Sequence, residues 1–282
     1  MNAAVRIARA VTDSEVVVKN GYHGHADWAM TEPPKNGGIL EAVKRHTIRV
    51  PQNNVVMLHA TLGGCAAMQR PVAAVVLEPI VSADPQIPKP GYFAEVRRLC
   101  DKYGALLIVD EMVTGLRGGF LGAVNTYGIE PDLVCYGKAI ANGWPLSVLV
   151  GKPEYMQRIE RDVFFSTTFG GEAVSLAAAL ATLDVCEREG ATARIWTLTS
   201  EIGKAFAEMA VGAAVITALA GRVTMKWNDL EAEKRWCAAM VERGVLTQGY
   251  VNVMLAHEGR GAEMIVDAVA EAFEAVRLAG AT

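Results

Sequence analysis

The chain has no cysteine framework, few histidines, no surplus of positive charge and no long apolar run. Its five cysteines, Cys65, Cys100, Cys135, Cys186 and Cys237, are odd in number and scattered, and none forms a CxxC pair. That pattern argues against a disulfide-stapled secreted fold and against a cysteine zinc site. It predicts buried, reduced thiols in a cytoplasmic protein. A net charge of −4 leaves no electrostatic footprint for nucleic acid. No apolar run approaches the roughly 20 residues that a membrane span requires, so no membrane partner is expected. Arg6 and Arg9 interrupt the N-terminal apolar stretch, which therefore reads as a helix and not as a secretory leader. Internal repeats and low-complexity tracts are absent too.

The 282 residues, 51% apolar and 21% charged, suit a globular enzyme of one or two domains. Short apolar runs predict strands at 15–19, 55–58, 72–77, 105–109, 133–136 and 146–150. Helical patterns occupy 2–11, 92–103 and 172–188, with a short helix at best around 39–45. Such alternation predicts an α/β fold, a mostly parallel sheet flanked by helices. After Gly190 the pattern changes to helices at 192–209, 230–243 and 263–278 with a strand at 223–227. The expected division is therefore a large domain, 1–190, and a small α+β C-terminal domain, 191–282.

The most informative stretch is 105–145. One apolar run, Ala105 to Val109, stops at Asp110, and another, Leu133 to Tyr136, stops at Gly137-Lys138. An acid and a lysine thus each end a buried strand, where open α/β sheets bind their ligands. Pyridoxal phosphate needs both groups, a lysine to form a Schiff base and an acid beside the pyridinium nitrogen.

Asp110-Glu111-Met112-Val113-Thr114-Gly115-Leu116-Arg117, with Pro131-Asp132-Leu133 before the lysine, resembles the signature of class III aminotransferases in the glutamate-1-semialdehyde aminomutase-like branch. Tyr22-His23-Gly24-His25-Ala26-Asp27 and Ser166-Thr167-Thr168-Phe169-Gly170-Gly171 agree with it in order, and the likeness covers about residues 3–190. The resemblance implies the PLP-dependent transferase fold type I and pyridoxal 5′-phosphate as cofactor. It implies amino transfer from an amine or amino acid to a carbonyl acceptor by a ping-pong route, or an aminomutase variant on the same residues. Lys138 would be the Schiff-base lysine and proton shuttle, and Asp110 the partner of the ring nitrogen. Tyr22 would stack on one face of the cofactor and Met112 approach the other, where the family usually has valine. His23 is a cofactor-contact candidate. Thr168, with Thr167 its nearest rival, would reach the cofactor phosphate of a partner subunit, which implies a homodimer. Arg117 would brace its loop, with Leu116 where the family has an aromatic. Glu78, ending a strand on the same edge, is a lesser site candidate, as are Trp144 for the pocket wall and Arg222 for a substrate carboxylate.

Relatives carry an N-terminal segment and a Gly-Ser/Thr phosphate turn ahead of the helix that matches Asn2 to Val11. The resemblance therefore implies a compact form, or a fragment beginning at an internal methionine. A helix N-terminus attracts anions, so the end of the first helix, with Met1 and Asn2, is expected to face the phosphate. Two other readings stand beside the aminotransferase. The His-x-His-x-Asp spacing of His23, His25 and Asp27, with His59 and His257 as further ligands, would suit a metal-dependent hydrolase. A truncated homologue that binds a ligand without catalysis is the other.

Overall fold

The computed structural model describes residues 1–280 and separates them into two compact units, Met1–Val185 and Cys186–Thr282. In the first, α1 (Asn2–Thr12) leads to β1 (Val16–Lys19), α2 (Glu41–Lys44), β2 (Thr47–Arg49), α3 (Val55–Ala67), β3 (Val72–Leu77), α4 (Tyr92–Tyr103) and β4 (Leu106–Asp110). Then follow α5 (Ala123–Thr126), β5 (Leu133–Tyr136), a single 3-10 turn at Lys138–Ala141, β6 (Val148–Gly151), α6 (Pro153–Met156), α7 (Arg158–Arg161) and α8 (Ala173–Arg188). The sheet order is β2-β1-β3-β4-β5-β6, parallel throughout except for β6, which runs antiparallel to β5.

Every residue of β1, β3 and β4 is buried, because helices cover both sides of the sheet. Strand alternation divides the core in two. Val75, Leu77, Leu107 and Val109 point toward α3 and α4, where they meet Leu62, Val96 and Leu99. Ala74, Val76, Leu106 and Ile108 point the other way, against Ala4, Val5, Ile7 and Ala8 of α1. Each fully buried Val, Leu or Ile contributes about 2 kcal/mol of transfer free energy, so these two layers hold the strand ends in place.

The strand expected at 55–58 is instead the first turn of α3. Asn54 caps that helix by accepting the Met57 N–H at 3.0 Å. Leu58, Leu62 and Cys65 then face inward at helical spacing. A β-branched pair, Val55-Val56, followed downstream by Gly63-Gly64, hid a helix that is apolar almost all round. The short strand β2 went unread because it has three residues and no apolar run.

The second unit contains α9 (Ala191–Met209), β7 (Ala214–Leu219), β8 (Arg222–Trp227), α10 (Leu230–Glu242), β9 (Tyr250–Asn252) and α11 (Arg260–Gly280). Its sheet, β7-β8-β9, is antiparallel. Phe206, Trp236 and Phe273 fill its core. β7 and β9 were not expected: β9 has only three residues, and the apolar run of β7, Ala214–Leu219, went unread. No helix among the described residues is long and apolar enough to cross a membrane.

Asp132, at the entry to β5, ties three elements together. It accepts the Leu107 N–H at 2.7 Å, Arg97 Nη1 at 2.9 Å and Lys152 Nζ at 2.5 Å. Burial pushes its carboxyl upward, but the hydrogen bonds from Lys152, the Leu107 N–H and Arg97 outweigh it. The group lies below the usual carboxylate range. A carboxyl held below its unfolded value stabilises the fold above that value and loses the contribution as pH falls through the folded value. Asp132→Ala is expected to lower stability by about 2 kcal/mol at neutral pH. In urea denaturation the variant and wild type should converge as pH falls below the ordinary 3.8.

Candidate active site

Because β1, β3, β4 and β5 are parallel, their carboxyl ends share one edge. Leu77 lies opposite Val109, so Glu78 and Asp110 end neighbouring strands side by side. Asp110 in turn faces Cys135 of β5, three residues before Lys138. Asp110 continues the alternation of Leu106 and Ile108, which puts it on the α1 face of the sheet.

Asp110 is buried, and two groups hold its carboxylate. Oδ1 accepts the Met112 N–H at 3.0 Å, and Oδ2 meets His23 Nδ1 at 2.7 Å. His23 Nε2 faces the Asn20 carbonyl. An oxygen thus stands at each ring nitrogen and fixes the plane of the imidazole. Trp28 stacks on the imidazole at 6.1 Å between centroids and 16° between planes, and its Nε1 donates to Asn2 Oδ1 at 2.9 Å. The first turn of α1 is therefore tied to the same loop. It also reaches Cys135. Burial pushes that thiol up to about 11, the Met1 α-amino group opposes the rise, and Asp110 adds to it.

Lys138 is exposed and follows Gly137 directly. Among the described residues its ammonium has no carboxylate partner. Its φ of 47° is left-handed, which costs a side chain with a Cβ about 1 kcal/mol. Strain of this kind points toward a functional position. A Cβ on Gly137 would stand 2.5 Å from Met112 Sδ, so the glycine admits Met112 to the strand end. Tyr22 and Trp144 leave their rings half in solvent, 52% and 53% exposed.

The structure thus brings Asp110, His23 and Met112 into contact and places Tyr22 and Lys138 on the same edge. Thr168 lies on an exposed turn, and no hydrogen bond among the described residues joins it to them. His25 and Asp27 point outward while His23 points in, so the His-x-His-x-Asp spacing does not converge. Among the described residues no three His, Cys, Asp or Glu side chains could hold a metal ion together.

Glu111 is a residue the sequence reading passed over. It is buried, bonds the Thr114 hydroxyl, and accepts the Val124 N–H at 2.6 Å. A Cβ on Gly122, whose φ is +88°, would stand 2.6 Å from its carboxyl. It therefore braces the Gly-rich loop beyond Asp110. Burial pushes its carboxyl up. The available signal was a second acid immediately after the strand-ending one, with threonine three residues on.

Chemically, Asp110 keeps lone pairs that could accept an N–H from a cationic ring, and Lys138 stands exposed on the same edge where it could meet a carbonyl. A pyridoxal phosphate ring fits between these demands.

The family model described as class-III aminotransferase matches residues 1–257. The 3-aminobutyryl-CoA aminotransferase of Cloacimonas acidaminovorans (strain Evry) is 36% identical over 206 residues, 72% of this chain and 47% of that protein. The glutamate-1-semialdehyde 2,1-aminomutase of Methanospirillum hungatei JF-1 is 35% identical over 218 residues, 72% of this chain and 52% of that protein. The chain spans about half the length of these curated relatives. Among solved structures, the PLP-bound FumI protein of Sphingopyxis sp. MTA144 superposes with a TM-score of 0.88 at 27% identity, over 100% of this chain and 69% of that one.

His23→Ala removes the partner of a buried carboxylate. It is expected to lower stability by about 3 kcal/mol, read by urea denaturation.

Proposed function

The chain belongs to the class-III aminotransferases, and from that membership we propose that it moves an amino group from an amine or amino acid to a carbonyl acceptor with pyridoxal 5′-phosphate. The observation that carries this reading is the buried Asp110–His23 pair at 2.7 Å on one strand end, with Lys138, which has no ion-pair partner among the described residues, just beyond the neighbouring one.

Bound pyridoxal phosphate supplies a carbonyl that exchanges with amines and a ring that takes up electron density. Asp110 would accept the ring N–H, and His23 with the Met112 N–H holds its carboxyl oxygens in place. Lys138 would hold the cofactor through its amine and would be the group that moves a proton at the substrate Cα. Tyr22 would cover one face of the ring and Met112 would lie toward the other. The first turn of α1, with its unpaired N–H groups, faces the phosphate. All these groups lie within residues 1–190, the proposed cofactor-binding domain. An aminomutase, as the Methanospirillum hungatei relative is named, would use the same groups on a single substrate.

Thr168 completes the phosphate site of a second copy, and the active form is a homodimer. The surface around Thr168 supports this reading. Phe164 and Phe169 are each 80% exposed, and Val174, Leu176 and Leu180 of α8 are exposed beside them in sequence. Apolar exposure on this scale suits a subunit contact.

Two measurements test the proposal. With added pyridoxal phosphate, wild type should show a visible absorbance band that an amine shifts, and Lys138→Ala should lack it. A wild type without any band would favour a non-catalytic homologue. By sedimentation, wild type should have twice the 30.2 kDa of one chain, and Leu180→Arg should sediment as single chains.

A further inference from the structure

Glu78 has no part in the chemistry above, yet it is a third buried carboxyl at the same edge, 4% exposed beside Asp110. Its Oε2 accepts the Tyr22 N–H at 3.0 Å, and the Ser82 N–H reaches both carboxyl oxygens at 3.4 Å. Its backbone is locked to Asn20. The Glu78 N–H donates to Asn20 Oδ1 at 2.8 Å, and Asn20 Nδ2 donates to the Glu78 carbonyl at 3.2 Å. Gly21, at φ +60°, passes directly over the carboxyl, and a Cβ there would stand 2.1 Å from Oε2. Among the described residues no lysine or arginine pairs with Glu78. Its acceptors therefore serve the backbone, and chiefly the Gly21-Tyr22 turn.

Tyr22 needs that support. Among the described residues its ring stacks on no other aromatic side chain and its hydroxyl has no hydrogen bond. His23 is held independently, by Asp110 and the Asn20 carbonyl. The backbone of the turn, held by Glu78, is therefore a main determinant of where the Tyr22 ring sits.

We propose that Glu78 is a positioning residue, whose carboxyl holds the Gly21-Tyr22 turn and so sets where the Tyr22 ring meets the cofactor. This rests on the cofactor reading, since the ring needs a flat partner to face. Burial pushes the Glu78 carboxyl up, while the Tyr22 N–H, Ser82 and His23 draw it down and Asp110 adds to the rise.

The test is a double-variant cycle read by pyridoxal phosphate affinity, from titration of the visible band. Glu78→Ala should weaken binding roughly tenfold, the worth of a hydrogen bond to a charged group. In a Tyr22→Leu background the same change should matter less than about twofold, because the ring it positions is gone. A loss of general stability would weaken binding equally in both backgrounds, and that result overturns the proposal. So does wild-type affinity in Glu78→Ala. If far-UV circular dichroism shows Glu78→Ala unfolded, Gly21→Ala takes its place. Its Cβ displaces the same carboxyl, and the same dependence on Tyr22 is expected. A wild type without a saturable band overturns the cofactor reading and this inference with it. A wild-type band with multiplying losses overturns only the role of Glu78.

Discussion

A carboxylate removed from water is stable only where hydrogen bonds or charge replace its hydration, and Asp110 is 2% exposed. His23 and the Met112 N–H meet that need from two directions. Much of the neighbouring chain is arranged to keep them there. Asn20 holds the far side of the imidazole, Trp28 covers its face, and Asn2 holds Trp28 in turn. A residue that is costly to bury thus sets the path of the loop after β1 and the seating of the first turn of α1.

The parallel sheet makes this possible at low cost. Its strands are apolar along their length, so their polar ends gather at one edge without disturbing the core. Glu78, Asp110 and Glu111 all lie there, buried, yet each serves a different segment. Glu78 holds the Tyr22 turn, Asp110 holds His23, and Glu111 holds the loop to Val124. Three buried acids would repel one another if all were bare. Backbone N–H groups, a hydroxyl and an imidazole share their charge among separate partners.

Much of this was legible in the residues. Apolar runs broken by Asp110 and Gly137-Lys138 marked strand ends, because a buried strand cannot continue through a charge. The tight wording of the Tyr22-His23 loop marked a site. What stayed hidden had physical causes. α3 is apolar on nearly every side, so it carries no helical stripe. β2 and β9 are three residues each, too short for periodicity to register. Glu111 read as a neighbour of the informative acid, since burial of its carboxyl depends on Gly122, eleven positions away.

The sequence by itself determined the class of fold and the family, because these follow from local patterns of apolarity and from residue type. Only the tertiary structure decided that His23 turns inward to Asp110 while His25 turns out. Spacing along a chain says how far apart two imidazoles are, but not which of them a buried carboxylate 87 residues later will draw in. It was likewise the register of β3 against β4 that set Glu78 beside Asp110, and register is a property of strands packed together.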